Sequence, residues 1–336
     1  MFNSRVVGTG HFVPERVVKN AELEALMDTN NDWIVERTGI HERRHIVPGG
    51  EDSTSSMGLK AAQMALEKAN LSADDIDFIV FATLSPDYYF PGPGVMIQKL
   101  LGMKKEIGAL DVRNQCSGFV YSLSVADQFI KTGMYKNVLV IGSEVHSGGL
   151  DFTTRGRGVS VIFGDGAGAV VLQATEDNSK GILSTHLHSE GQHAEELVLT
   201  APSTTNWVPG FIDRNDEEDI SYYPYMNGNF VFKNAVVRFQ QVIMEALNQN
   251  DLKVEDIDML IPHQANLRIS QFIQRQMKLP DEKVFNNIQK YGNTTAASIP
   301  LALSEVIIEG KVKEGDLVCM AAFGSGFTWA SALIRW

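Results

Sequence analysis

Apolar residues fall into two rhythms along this chain. Five short runs are apolar and β-branched almost without a break: 78–85 (FIVFATLS), 137–145 (NVLVIGSEV), 169–175 (AVVLQAT), 258–264 (DMLIPHQ) and 316–324 (DLVCMAAFG). Such runs read as strands buried on both faces. Between them, apolar stripes recur at helical spacing over 56–70, 119–133, 232–250 and 266–278. Strands alternating with helices predict an α/β protein with mostly parallel sheets.

The pattern also repeats. Residues 70–87 (NLSADDIDFIVFATLSPD) parallel 250–266 (NDLKVEDIDMLIPHQAN), each closing a turn in Asp-Ile-Asp before an apolar strand. Residues 131–145 parallel 309–324, each with a helix end marked by Gly, a short basic loop and a strand. Two matches in the same order predict two copies of one α/β unit, 1–175 and 176–336, related by a pseudo-twofold axis. A site assembled from both halves is then natural. The stretch 200–228 is rich in Pro, Gly, Asn, Asp and aromatics and has no period. It reads as a long loop or flap.

Composition narrows the class. The chain has 336 residues, 44% hydrophobic and 21% charged, which suits a soluble globular protein. No apolar run reaches the roughly 18 residues of a membrane span. The start, MFNSRVVGTGHFVPERVV, lacks the basic and apolar regions of a signal peptide. Two cysteines far apart make no disulfide framework, and a reducing cytoplasm is the expected setting. The net charge of −12 argues against nucleic acid as a main partner. An acidic protein partner would need a local basic patch.

Several motifs compete for a chemical reading. HERRH (41–45) fits the zinc pattern H-E-x-x-H, but Gly39 precedes it, PGG closes it, and two Arg between the His repel a cation. HLHSEGQH (186–193) has three His but reads as a polar loop. GDGAGA (164–169) resembles a dinucleotide loop, but a strand follows the glycines where that fingerprint needs a helix. Close backbone packing or a bulge is preferred there. Cys319 lies inside an apolar strand and reads as core.

Three positions remain. Cys116 follows the strand-like IGALDV and precedes a helix, whose positive end favours a thiolate. His263, with Asn266, follows a strand in PHQAN, and Asn293 opens a small-residue helix in YGNTTAAS. Singly, each has a plain structural reading: a buried small residue, a satisfied His, a helix cap. With the glycine-rich FGSGF (323–327) they make a nucleophile, two donors and a backbone oxyanion loop.

At this point the chain resembles the β-ketoacyl-acyl-carrier-protein synthase III family. The resemblance runs nearly end to end: GTGHFVPERVVKNAELE, DTNNDWIVERTGIHERR, the Cys116 segment, IFGDGAGAV, MNGNFVFKNAV, PHQANLRI, YGNTTAAS and AFGSGFTWASALIRW. It implies a thiolase-like, layered αβαβα fold of two duplicated halves and a homodimer. It implies that Cys116 accepts an acyl group from acyl-CoA, that malonyl-acyl-carrier protein then loses CO2, and that the enolate attacks the acyl-cysteine. His263 and Asn293 match the donors to the malonyl thioester carbonyl. Backbone N–H groups of Cys116 and Ser325 match the second oxyanion hole, with Ser325 where the family usually has Gly. No metal and no resident cofactor are implied; acyl-CoA and malonyl-acyl-carrier protein are substrates.

By the same resemblance, Trp33 and Arg157 sandwich the adenine of CoA, and Arg37 lies near its phosphates. From the residues alone, Trp33 reads as a core aromatic. Gly228 and Asn229 line the pantetheine tunnel, with Asn266 nearby. Phe90 reaches across the dimer into an acyl pocket. Arg268 and Arg275, seven apart on one helix face, join Lys278 in the basic patch for the acidic carrier protein. The polar RNQ before Cys116, the aromatic SPDYYFPGPG (85–94) and the long 200–228 loop depart from the family pattern and bear on acyl specificity. Two rival readings stay open: a thiolase-fold condensing enzyme of a specialised pathway with another acyl donor or acceptor, and a catalytically silent acyl-binding homologue. Intact Cys116, His263 and Asn293 weigh against the second.

Overall fold

The strand-forming runs pair into two main sheets in the computed structural model, which describes residues 2–204 and 221–336. The first contains β1 (Asn3–Phe12), β4 (Phe78–Ala82), β5 (Gly108–Val112), β6 (Asn137–Glu144) and β7 (Gly166–Thr175), in the order β1-β7-β6-β4-β5. The second contains β8 (Gly181–Ser189), β11 (Met259–Pro262), β12 (Leu317–Gly324) and β13 (Thr328–Arg335), in the order β11-β12-β13-β8. Two small ribbons complete the strands: β2 (Val17–Lys19) with β3 (Glu42–Arg44), and β9 (Leu197–Val198) with β10 (Tyr225–Met226).

The sheets are mixed, which corrects the expectation of mostly parallel pairing. β4 runs parallel to β5 and β6, and β11 to β12. The pairs β1–β7, β6–β7, β12–β13 and β8–β13 are antiparallel. A parallel neighbour needs a long crossover, and only a short turn joins β12 to β13.

Two helices, Gly118–Lys131 and Ser298–Ile308, lie between the sheets. Phe119, Leu123, Ile130, Ile299, Leu303 and Val306 share one core with Val138 and Val140 of β6 and Val318 and Met320 of β12. The alternate residues of β6, Leu139 and Ile141, face outward onto the helix Thr54–Ala69. Those of β12, Leu317, Cys319 and Ala321, face the helices Gly228–Gln249 and Leu267–Met277. Helices on both outer faces and in the middle make five layers, αβαβα. Each central strand is buried on both sides, which is why it reads as unbroken apolar sequence.

The sequence parallels fold alike. Asp75 accepts a 2.8 Å hydrogen bond from the backbone N–H of Ser72, and Asp256 a 2.7 Å bond from that of Lys253. The N–H of Asp77 donates to the carbonyl of Asn137, as that of Asp258 does to Leu317.

The rejected motifs have clear places. HERRH holds the strand β3 rather than a helix, with His41 exposed and His45 buried. His186 and His188 belong to β8, and His193 lies in the turn that follows it. Gly168 lies where a Cβ would come within 2.5 Å of the backbone N of Leu301, so the glycines of GDGAGA admit close backbone packing. In the long loop 200–228, residues 205–220 lie outside the described residues, and its two ends meet in the β9–β10 ribbon.

Candidate active site

The turn after β5 sets Cys116. Gln115 takes a positive φ of 43°, and a 3-10 turn, Gln115–Ser117, runs into the central helix at Gly118. A non-glycine residue in this region carries strain of about 1–3 kcal/mol, held here by the packed surroundings. The end of β12 then closes on the sulfur. A Cβ on Gly324 would lie 2.5 Å from Cys116 Cβ and 2.9 Å from Sγ, so only glycine fits. Past it, the backbone N–H groups of Ser325 and of Cys116 itself act on the Cys116 sulfur in the direction that favours its anion.

His263 extends β11, its N–H donating to the carbonyl of Ala321 at 2.8 Å. Its Nδ1 lies 2.6 Å from Ser298 Oγ, while its buried Nε2 has no partner among the described residues. Asn293 is pinned by its backbone, donating to the carbonyl of Ile162 and accepting from the N–H of Gly164. Its side-chain Oδ1 accepts from the N–H of Thr295 at 2.8 Å, which leaves the amide N–H groups for the cavity. Thr295, at φ 50°, is held in turn by His146, whose Nε2 is 2.7 Å from Thr295 Oγ1.

Cys116, His263 and Asn293 line one cavity of about 760 Å³. Trp33, Arg37, Gly228, Asn229, Asn266 and Arg268 line it as well. Trp33 is half-buried while its neighbour Ile34 takes the core position, so Trp33 is not the core aromatic that the residues alone suggest. The guanidinium carbons of Arg37 and Arg157 lie 4.8 Å and 5.2 Å from the Trp33 ring centroid. Arg157 is tethered there by a 2.5 Å bond from Nη1 to the carbonyl of Asp28. Asn266 caps its helix and donates to the carbonyl of Arg37 at 2.9 Å.

The electrostatics differ from the expectation of a ready thiolate. Burial, with the like charge of Glu144, pushes the Cys116 thiol up to about 12, and the two N–H donors only partly offset this. The central helix begins two residues beyond Cys116, at Gly118. Burial and the nearby His146 lower His263 to about 3, so its imidazole is neutral. A neutral ring with a free Nε2 is suited to donating a hydrogen bond to a developing oxyanion. Cys319 is buried in β12, away from the cavity lining.

The other expected residues lie outside this cavity. Phe90 is 80% exposed, beside the exposed Tyr88 and Tyr89. Arg275 and Lys278 are exposed near Arg268 on and just past the helix Leu267–Met277. Four supporting residues escape sequence reasoning: Glu144, His146, Thr295 and Ser298. Arg155, which lines the cavity, pairs with Asp151 at 2.7 Å and lies over Tyr223, also went unread. None of these stands in a spacing that marks chemistry.

Comparison with known proteins bears on all of this. Residues 110–191 match the family described as 3-oxoacyl-[acyl-carrier-protein (ACP)] synthase III, and residues 247–336 match its C-terminal counterpart. The chain is 45% identical over 338 residues to a β-ketoacyl-[acyl-carrier-protein] synthase III of Alkalilimnicola ehrlichii, with 100% of both chains covered. The crystal structure of 3-oxoacyl-[acyl-carrier-protein] synthase III from Aquifex aeolicus is 43% identical, with a TM-score of 0.89 over 99% of this chain and 100% of that one. A Thermus thermophilus synthase III structure is 36% identical, with a TM-score of 0.90 over 99% of both chains.

Proposed function

Because the chain belongs to the β-ketoacyl-[acyl-carrier-protein] synthase III family, we infer that it condenses an acyl-CoA primer with malonyl-acyl-carrier protein, releasing CoA and CO2 and initiating fatty-acid synthesis. The observation that carries this is the convergence of Cys116, the unpartnered Nε2 of His263 and the Asn293 amide in one cavity.

In the first step the Cys116 sulfur attacks the acyl-CoA carbonyl. The Cys116 and Ser325 N–H groups hold the tetrahedral oxyanion. The C–S bond to CoA breaks, and the thiol proton of Cys116 ends on the CoA sulfur. One thiol is exchanged for another, so the step needs no net acid or base. In the second step the malonyl C–C bond breaks and CO2 leaves. The electron pair forms an enolate whose oxygen takes hydrogen bonds from His263 Nε2 and the Asn293 amide. The enolate carbon attacks the acyl-cysteine, and the sulfur of Cys116 leaves as thiolate, which regains a proton. Loss of CO2 itself generates the carbanion, so these steps call for no metal or resident cofactor.

Trp33 and Arg157 suit the adenine of CoA, Arg37 its phosphates, and Gly228, Asn229 and Asn266 its pantetheine arm. Arg268, Arg275 and Lys278 offer the acidic carrier protein a cationic face on a chain of net charge −12. A homodimer is supported by the exposed aromatics Tyr88, Tyr89 and Phe90 and by β5, which among the described residues is an edge strand of its sheet. Division at residue 175 is supported by the two sheets, whose strands span 3–175 and 181–335. Two free cysteines suit the cytoplasm, and among the described residues no helix is long and apolar enough to cross a membrane.

Intact-protein mass spectrometry after incubation with a panel of acyl-CoAs tests the reading. We expect a gain of one acyl group, absent in Cys116→Ala, followed by its loss and formation of β-ketoacyl-carrier protein when malonyl-acyl-carrier protein is added. Absence of loading with every acyl-CoA would remove the acyl-CoA-primed mechanism.

A further inference from the structure

Gln264, the residue after His263, is buried, and its side-chain amide makes four hydrogen bonds to backbone. Nε2 donates to the carbonyl of Pro262 at 2.6 Å and to that of Phe285 at 3.3 Å. Oε1 accepts from the N–H of Asn287 at 3.1 Å and from that of Ile288 at 3.2 Å. A primary amide has two N–H donors and two acceptor positions, so each polar site is used. The direction of the amide is fixed as well. Carbonyls face one side of it and N–H groups the other, so a flipped amide would meet like partners on both sides.

These bonds join two pieces of chain. One is the end of β11, which carries His263. The other is 285–288, which leads to Asn293. Alongside β11, Leu260 bridges Val284, and the Phe285 N–H donates to the Leu260 carbonyl at 3.0 Å. Past Phe285 the contact passes to the Gln264 amide, which stands in for a peptide group. From there to Asn293 the path is short and braced. The N–H of Gly292 donates to the carbonyl of Ile288 at 2.9 Å. Glu305 grips both ends of this turn, accepting from Asn287 Nδ2 at 2.9 Å and from the Tyr291 hydroxyl at 2.5 Å. Gly292 then turns at φ 65°, where a Cβ would lie 2.6 Å from the carbonyl oxygen of Ile162, and the chain enters the cavity at Asn293.

We propose that Gln264 is a positioning residue for the second half-reaction: its amide ties the strand end that bears His263 to the 285–288 segment, and so sets His263 Nε2 and the Asn293 amide at one working distance. This inference deepens the synthase reading above and rests on it. Two donors serve one enolate oxygen only when both reach it together, and hydrogen bonds weaken steeply as their angle departs from linear. Gln264 itself lies outside the cavity lining, so it acts through the donors and not on substrate. Cys116 stands on the turn after β5, and the Ser325 N–H follows β12, so acyl loading does not draw on these four bonds.

The test uses the full-length enzyme with Gln264→Met, which keeps length and bulk, and Gln264→Glu, which keeps the acceptors but sets an oxygen against the two carbonyls. Acyl loading of Cys116, followed by mass, is expected within about threefold of wild type in both, which also shows that the variants are folded. Single-turnover condensation of the preloaded acyl-enzyme with malonyl-acyl-carrier protein is expected to fall about tenfold to a hundredfold, as small misplacements of catalytic groups do. In a His263→Ala background the effect of Gln264→Met should shrink, because one of the two groups it aligns is gone. Condensation within about twofold of wild type in both variants, loading and condensation falling in equal proportion, or an undiminished effect in the His263→Ala background would overturn the proposal. A wild-type enzyme that neither loads nor condenses would overturn the synthase reading instead, and this inference with it.

Discussion

Ser298 Oγ stands 2.6 Å from Nδ1 of His263, and the opposite ring nitrogen, Nε2, is buried without a partner among the described residues. If the hydroxyl donates to Nδ1, the ring proton sits on Nε2 and faces the cavity. If Nδ1 donates instead, the Ser298 hydroxyl is left as a buried donor with no acceptor, which costs about 1–3 kcal/mol. Ser298 therefore selects the tautomer that can donate to an enolate oxygen.

Ser298→Ala removes that selection and leaves Cys116 untouched. We expect condensation to slow on the order of ten- to a hundredfold. Acyl loading of Cys116, read by mass, should stay near the wild-type rate. Ser298→Thr keeps the hydroxyl and should recover most of the activity; equal losses in both variants would argue against the tautomer role.

The oxyanion loop makes a second prediction. Gly324→Ala places a Cβ 2.5 Å from that of Cys116, so the loop must back away. Acyl loading should fall on the order of a hundredfold, the usual cost of losing an oxyanion donor. Ser325→Gly keeps the backbone N–H and should retain loading. It does release a 2.5 Å bond from Ser325 Oγ to the carbonyl of Leu197 in β9, which loosens that strand by about 1 kcal/mol. A rise in KM for acyl-CoA with little change in kcat is the expected readout.

Acid should destabilise the protein through its buried imidazoles. Burial holds His263 near 3 and His146 near 4, both below the ordinary 6.5. The unfolded chain takes up protons below pH 6.5 that the folded one refuses, so this stability is present above pH 6.5 and is lost as the pH falls. At pH 5 the loss is about 2 kcal/mol for each imidazole. In thermal melts, His146→Phe should flatten the slope of Tm between pH 7 and pH 5. It should also slow condensation, because Thr295 loses its partner. An unchanged slope would mean that His146 titrates normally in the folded state.

The basic helix face predicts a split between substrates. Arg275→Glu with Lys278→Glu should raise KM for malonyl-acyl-carrier protein about tenfold at low salt. The difference should shrink as ionic strength rises. Loading from acyl-CoA should not change, since both residues lie outside the cavity lining.

Much of the site was legible before folding was considered. Cys116 and His263 each follow a strand and precede a helix, and Asn293 stands just before a helix of small residues, so local pattern alone marks all three as turns. The duplicated Asp-Ile-Asp turns were visible for the same reason, since their hydrogen bonds close within a few residues. The supporting residues were not legible. Glu144 ends an apolar strand, and Ser298 is one small residue in a helix of small residues. Their surroundings depend on partners far along the chain: Thr83 and Ser85 for Glu144, and His263 for Ser298. Trp33 misled for a related reason. Which of Trp33 and Ile34 enters the core depends on how their helix is rotated against the rest of the molecule.

The sequence by itself determined the elements and their repetition and marked Cys116, His263 and Asn293 as candidates, because hydrophobic period and turn chemistry act over short stretches of chain. Only the tertiary structure decided protonation. A cysteine at a helix start reads as a thiolate, yet burial and the Glu144 carboxylate push the Cys116 thiol toward its neutral form. Burial and Coulomb interactions depend on distances through space, and the chain sets those distances only when its two halves close on one another.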